Sequence, residues 1–97
     1  MAPETSVFVS AATAWEISIK QEAGKLDAPT DLDRQVDVSG FEPLPITIAH
    51  ACAAAILPRH HRDPFDRMLV AQAASEGLTI VTRDPRMAAY GVATLQA

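Results

Sequence analysis

The chain is organised around the sequence DPFDRMLVAQAASEG, residues 63–77, and its continuation LTIVTRD, residues 78–84. Asp63 is a suitable N-cap, Pro64 suits the first turn of a helix, and Gly77 can take the left-handed conformation that ends one. We therefore predict a helix that begins at Pro64 and ends just before Gly77. Residues 78–82 are rich in apolar and β-branched side chains, so they predict a short buried strand.

Two acidic residues occupy unusual places in this helix and strand. Counted from Asp66, the helix positions i+3, i+4, i+7 and i+11 are Leu69, Val70, Ala73 and Gly77. Asp66 therefore heads the stripe that should face the core, where an unpaired charge is costly. Asp84 follows the strand, and sites form at the carboxyl ends of strands in open α/β sheets. The pattern indicates a functional site that contains both carboxylates.

A purely structural role explains part of this acidic pattern. Asp63 as N-cap with Asp66 three residues later resembles a capping box, and Asp84 before Pro85 could cap another short helix. Acidic side chains at helix starts also complement the helix dipole, which typically contributes ~0.3–1 kcal/mol. This role accounts well for Asp63 and only partly for Asp66 and Asp84.

Composition limits the protein to a small globular class. Its 97 residues predict one domain over residues 1–97, with 48% hydrophobic and 21% charged residues. No apolar run approaches the roughly 20 residues that span a bilayer, so we expect neither a membrane anchor nor secretion. The single cysteine, Cys52, cannot form an internal disulfide, which favours a cytoplasmic protein.

The distribution of charge is more informative than the net charge of −4, which disfavours nucleic-acid binding by the whole surface. Residues 59–86 contain five arginines and four acidic residues, whereas the rest of the chain contains three basic and eight acidic residues. The arginines of this segment are Arg59, Arg62, Arg67, Arg83 and Arg86. Arginine binds phosphate through two parallel hydrogen bonds, so the segment favours an anionic substrate.

The remaining patterns predict an α/β fold with parallel strands. A strand over residues 7–9 precedes a helix over residues 11–23 that Ser10 caps, and Glu16 lies at the border of the apolar face of this helix. Glu16 could simply pair with Lys20, one turn later. Further predictions are a polar helix over residues 30–38, a helix over 48–56 capped by Thr47, a short helix over 85–90 and a strand over 92–95. Strands that alternate with helices favour a parallel sheet.

Glu16, Asp66 and Asp84 are the candidate metal ligands. Clustered acids repel one another, and a cation between them relieves the repulsion. Their hard oxygens suit Mg²⁺ or Mn²⁺, which would support metal-assisted hydrolysis of a phosphodiester. Thr82 should lie on the same face of the strand as Asp84 and could bind a ligand or its water. The histidine pair at residues 60–61 lacks the spacing of a zinc site.

Four segments, taken in order, resemble the signatures of the PIN-domain family, most closely the VapC toxins of bacterial toxin–antitoxin pairs. They are VSAATAWEI at residues 9–17, LPIT at 44–47 with the following His50 and Ala51, HRDPFDRML at 61–69, and VTRD at 81–84. The likeness covers nearly the whole chain. It implies a PIN-like three-layer α/β/α fold with a short parallel sheet.

The resemblance implies a Mg²⁺-dependent endoribonuclease, a hydrolase that acts on RNA as the toxin of a VapBC-type pair. Glu16, Asp66 and Asp84 match three of the metal-binding acids of the family, and Thr82 matches the threonine of its Thr-x-Asp motif. Asp63 would be a supporting residue or a cap, and we favour the cap. The implied partners are RNA, a cognate antitoxin that occupies the site, and a second copy in a homodimer. The candidate RNA contacts are Arg62, Arg67 and Arg83.

The resemblance also leads us to expect a missing element. PIN-domain proteins normally begin with a central strand that ends in an aspartate, and we find neither in this sequence. A truncated gene or protein fragment, a start codon assigned too late, or a strand supplied by a partner chain would each explain the difference. Unpaired strand edges and a metal site short of one ligand would follow.

Two other functions remain open from the sequence. One is a catalytically impaired PIN remnant that binds an antitoxin or dimerises, which the missing aspartate favours. The other is an unrelated small α/β domain in which all the acids are helix caps and solvated charges. Metal binding that depends on Asp66 separates this last interpretation from the first two.

Overall fold

The computed structural model describes residues 6–25, 31–60, 62–82 and 84–96. These residues form a mixed α/β structure with four α-helices and four short strands, which confirms the predicted α/β class. The chain forms two compact units, Met1–Pro45 and Ile46–Ala97. None of the described helices is long and apolar enough to cross a membrane. One domain over residues 1–97 stays a prediction.

The N-terminal unit contains a parallel pair of strands connected through two helices. Its elements are β1 (Phe8–Ser10), α1 (Ala11–Glu22), α2 (Leu32–Val38) and β2 (Glu42–Leu44). β1 and β2 are parallel, with Phe8 opposite Glu42 and Ser10 opposite Leu44. Ser10 is the predicted N-cap of α1, because its hydroxyl accepts the N–H of Ala12 at 3.0 Å.

The apolar face of α1 is largely open to solvent. Trp15 is 63% exposed and Ile19 is 46% exposed, whereas Ala12 is buried. Strands of three residues can cover only a narrow part of a helix of 12 residues, so the large side chains of this face extend beyond them. Glu16 forms the predicted ion pair with Lys20, at 3.3 Å between carboxylate oxygen and ammonium nitrogen.

The C-terminal unit packs a helical hairpin against a second parallel pair of strands. Its elements are α3 (Ile48–Ala55), α4 (Pro64–Glu76), β3 (Ile80–Thr82), the 3-10 helix Pro85–Tyr90 and β4 (Thr94–Gln96). β3 and β4 are parallel, with Val81 opposite Leu95. Asp63 caps α4 by accepting the N–H of Phe65 at 2.8 Å, and Gly77 ends the helix with a φ of 70°. The predicted bounds and caps of α4 are confirmed.

The core of this unit lies where α4 meets β3 and the 3-10 helix. Val70, Ala73, Ile80 and Met87 form a buried cluster. The partly buried residues that pack against this cluster are Leu57, Leu69, Leu78, Tyr90 and Val92. Val70 and Ala73 belong to the stripe that Asp66 heads, so this stripe faces the core as predicted. Asp66 itself is partly buried at its edge.

Polar contacts connect α3 to α4 at both ends of the helical hairpin. At the start of α3, Thr47 and the buried His50 form a capping box within this helix, in which each side chain accepts the backbone N–H of the other residue at 3.1 Å, and His50 also contacts α4. Nε2 of His50 lies 2.9 Å from Oε2 of Glu76. At the other end, the Arg67 guanidinium donates to three carbonyl oxygens. These belong to Ala54, Leu57 and Pro58, at 2.8, 3.0 and 2.9 Å.

Candidate active site

Asp84 is held by the turn between β3 and the 3-10 helix. Its backbone N–H donates to Oγ1 of Thr82 at 3.0 Å, and its Oδ1 accepts the backbone N–H of Arg86 at 2.9 Å. Asp84 is therefore the N-cap of the 3-10 helix. Thr82 and the cap together fix the direction of the carboxylate, which remains 26% exposed.

The Asp84 carboxylate is paired with a guanidinium two residues away. Nε of Arg86 lies 3.0 Å from Oδ1 and 3.2 Å from Oδ2, and Nη2 lies 2.9 Å from Oδ2. The planar guanidinium thus engages both oxygens, which is the strong geometry for such a pair. Its hydrogen bond to Asp84 and the charge of that carboxylate raise the pKa of Arg86; desolvation opposes the rise, and the charge of Asp66 adds to it.

Asp66, in the first turn of α4, also acts on Arg86 through its charge. Its side chain is partly buried, and its charge contributes to the raised pKa of Arg86. This proximity follows from packing within the unit, since α4 contacts both β3 and the 3-10 helix. Two of the three predicted acids, which we call the acidic pair (Asp66 and Asp84), therefore act on one guanidinium.

Glu16 has a different location. It lies on α1 in the N-terminal unit and is paired with Lys20, whereas the acidic pair lies in the C-terminal unit. Among the described residues, no three His, Cys, Asp or Glu side chains form a group that could hold a metal ion. A common metal site for Glu16, Asp66 and Asp84 therefore stays a prediction.

The predicted RNA-contacting arginines have different surroundings. Arg62 is exposed in the loop before α4. Arg67 donates to carbonyl oxygens in the last turn of α3 and in the residues that follow it, a structural role that its charge alone does not reveal. Arg83 lies outside the described residues. Contact with RNA stays a prediction for all three.

The family of the chain follows from its sequence profile. The PIN domain profile matches residues 2–93 and so extends across both units. The chain belongs to the PIN domain family. No curated protein matches it. PIN domains are typically metal-dependent nucleases, so the family supports a hydrolase that acts on nucleic acid.

The acidic pair of this PIN domain has the donor chemistry that a divalent ion needs. Carboxylate oxygens are hard ligands, and Mg²⁺ keeps several waters and is usually bound through only one or two carboxylates. The guanidinium of Arg86 already compensates negative charge at Asp84. PIN nucleases generally use divalent ions, and the binding of such an ion by Asp66 and Asp84 stays a prediction.

Arg86 is the site residue of this PIN domain that the sequence patterns do not single out. It stands among five arginines in residues 59–86, and a charge count does not say which carboxylate each arginine meets. A local signal exists, because residues 84–86 read Asp-Pro-Arg. A capping aspartate lies beside the second residue of its helix, so this spacing places a guanidinium at the carboxylate.

Proposed function

We propose that this PIN domain is a Mg²⁺- or Mn²⁺-dependent endoribonuclease and the toxin component of a VapBC-type toxin–antitoxin pair. The observation that supports the proposal is the Asp84 carboxylate, which follows β3 and pairs with Arg86, together with the charge of Asp66 at the start of α4, which acts on the same guanidinium. Glu16 is the third proposed metal ligand. The ordered motifs that resemble those of VapC toxins support the choice of RNA as substrate.

The proposed chemistry uses the carboxylates and their supports. A divalent ion, when bound, would activate a water molecule and stabilise the charge that develops on the scissile phosphate. Asp84 would hold the ion with a carboxylate that Thr82 and the cap have already oriented. Asp66 would add a second carboxylate at a helix N-terminus, where the helix dipole favours negative charge. Asp63 would contribute only by capping α4.

We also assign the contacts with RNA and with partner chains. Arg62, Arg67 and Arg83 are the proposed contacts for RNA phosphates, since guanidinium groups match phosphate geometry. A cognate antitoxin would silence the toxin by occupying the site. The toxin would act as a homodimer in the cytoplasm. These assignments rest on the resemblance to VapC toxins.

Cleavage of a mixed cellular RNA pool by the purified chain tests the proposed activity. We expect cleavage with Mg²⁺ or Mn²⁺ that EDTA abolishes and that Asp66→Asn removes. Glu22→Gln is the matched control, because this carboxylate is exposed at the end of α1, and it should leave cleavage unchanged. Cleavage that survives EDTA or Asp66→Asn would refute a metal centre at the acidic pair.

A second candidate function is favoured by Arg86. Because this guanidinium engages both oxygens of Asp84, the chain could be a catalytically impaired PIN domain that binds an antitoxin or dimerises. We then expect a folded chain that cleaves no RNA in the presence of Mg²⁺ or Mn²⁺, while sedimentation equilibrium reports a dimer. Metal-dependent RNA cleavage would exclude this candidate.

A further inference from the structure

We propose that Arg86 is an internal counter-cation that competes with a divalent metal ion for Asp84, so that metal binding requires the guanidinium to leave the carboxylate. The inference rests on the proposed metal site at Asp66 and Asp84. It adds to that site a residue of the same chain that sets its metal affinity. Arg86 would determine how much free metal ion the site needs before it fills.

The side chain of Arg86 bridges the two oxygens of Asp84. A carboxylate has about four lone-pair sites, two on each oxygen. Three N–H groups of Arg86 meet these oxygens: the backbone N–H lies 2.9 Å from Oδ1, Nη2 lies 2.9 Å from Oδ2, and the single Nε–H is shared between Oδ1 at 3.0 Å and Oδ2 at 3.2 Å. A metal ion would lie about 2.0–2.1 Å from an oxygen, inside the space of these donors. An ion held on the side of the carboxylate that the guanidinium bridges must therefore displace it.

The backbone and the side chain of Arg86 have opposite effects on the site. The backbone N–H belongs to the helix cap and holds the carboxylate in its direction. The side chain is 62% exposed, so it can rotate into water without opening the core. A substitution that changes only the side chain should therefore remove the competitor and keep the oriented ligand.

The positive charge of Arg86 should weaken the binding of a divalent ion by the acidic pair. Arg86 compensates one of the two negative charges of Asp66 and Asp84, whereas a divalent ion would compensate both. While the guanidinium is bound, the two carboxylates and Arg86 together carry one net negative charge, and the positive group itself repels an approaching metal ion. Without the guanidinium it meets two negative charges, and attraction between charges grows as their product. Removal of the Arg86 charge should therefore strengthen metal binding.

Equilibrium titration with Mn²⁺, followed by the paramagnetic resonance signal of the free ion, tests the inference. We expect Arg86→Gln to bind Mn²⁺ about three- to tenfold more tightly than the unchanged chain, because a two-point ion pair no longer competes. Arg86→Met, which keeps the apolar stem, should behave in the same way. Arg34→Gln is the matched control, because it removes an equal charge from the exposed surface of α2.

Variants of Asp84 distinguish competition by Arg86 from the existence of the metal site. Asp84→Asn should weaken Mn²⁺ binding with or without Arg86. Equal affinity of Arg86→Gln and the unchanged chain, with binding still lost in Asp84→Asn, would overturn the competition and leave the metal site intact. Weaker binding by Arg86→Gln would overturn it too, since Arg86 would then position the ligand. Absence of Mn²⁺ binding in every folded variant would refute both the metal site and the inference.

Discussion

At the scale of single residues, Asp84 caps the 3-10 helix and also carries the charge that meets Arg86. These two roles can be separated because asparagine caps a helix about as well as aspartate but has no charge. The same residue therefore offers one substitution that tests stability and another that tests binding. Thr82 accepts the N–H of Asp84 and supports both roles.

Asp84→Ala should destabilise the C-terminal unit by about 1 kcal/mol, because the N–H of Arg86 loses its acceptor. Asp84→Asn should cost much less, since it keeps the cap. Urea unfolding followed by the fluorescence of Tyr90, the only tyrosine, measures both free energies of unfolding. Equal losses for the two variants would show that the charge, and not the cap, stabilises this turn.

Arg67 is a second residue whose role depends on its hydrogen bonds. Arg67→Ala should lower the free energy of unfolding by about 2 kcal/mol, because partly buried carbonyl oxygens at the end of α3 would lose a charged donor. Arg59→Ala removes an exposed arginine from the loop between α3 and α4 and should change the free energy by less than about 0.5 kcal/mol. Similar values for the two variants in a urea titration would contradict a structural role for Arg67.

At the scale of elements, α3 depends on the capping box at its start. Thr47→Ala should destabilise the C-terminal unit by about 1 kcal/mol, because the N–H of His50 loses the Thr47 hydroxyl. Thr47→Ser keeps the hydroxyl and is the control. Thermal or urea unfolding of the two variants measures the difference, and indistinguishable stabilities would show that the box contributes nothing.

Elements with strong end signals were predictable from the sequence. The bounds of α4 follow from Asp63, Pro64 and Gly77, because a cap, a first-turn proline and a left-handed glycine fix a helix by local chemistry. β3 begins at Ile80 and not at residue 78. The N–H of Leu78 donates to the carbonyl of Ala73 at 2.9 Å, which closes the helix end and delays the strand.

The candidate site was predictable only in part, because some of its features depend on packing and on the conformation of a turn. The positions of Asp66 and Asp84 follow from helix periodicity and from the end of a strand, both of which are local patterns. The pairing of Asp84 with Arg86 depends on the conformation of a turn. The burial of the α1 face, with Trp15 exposed, depends on what packs against it. Patterns of residue type predict which face is apolar, and packing decides whether that face is buried.

At the scale of the whole molecule, the family profile extends across both compact units. The single tryptophan, Trp15, lies in the N-terminal unit, and the single tyrosine, Tyr90, lies in the C-terminal unit. If the chain is one domain, as predicted, urea unfolding should give the same midpoint with either fluorophore, because a single domain unfolds cooperatively. Two separated transitions would contradict the prediction and indicate units that unfold independently.

The polar contacts between α3 and α4 have a consequence for the order in which the molecule assembles. The contacts of Arg67 span only 9, 10 and 13 residues, and the His50–Glu76 contact spans 26. Short spans cost little loop-closure entropy, so the hairpin should close first at its loop and then along its length. Pulsed hydrogen exchange during refolding should protect α3 and α4 before β3 and β4. A newly made chain would therefore hold a finished hairpin before its two aspartates can share a cation.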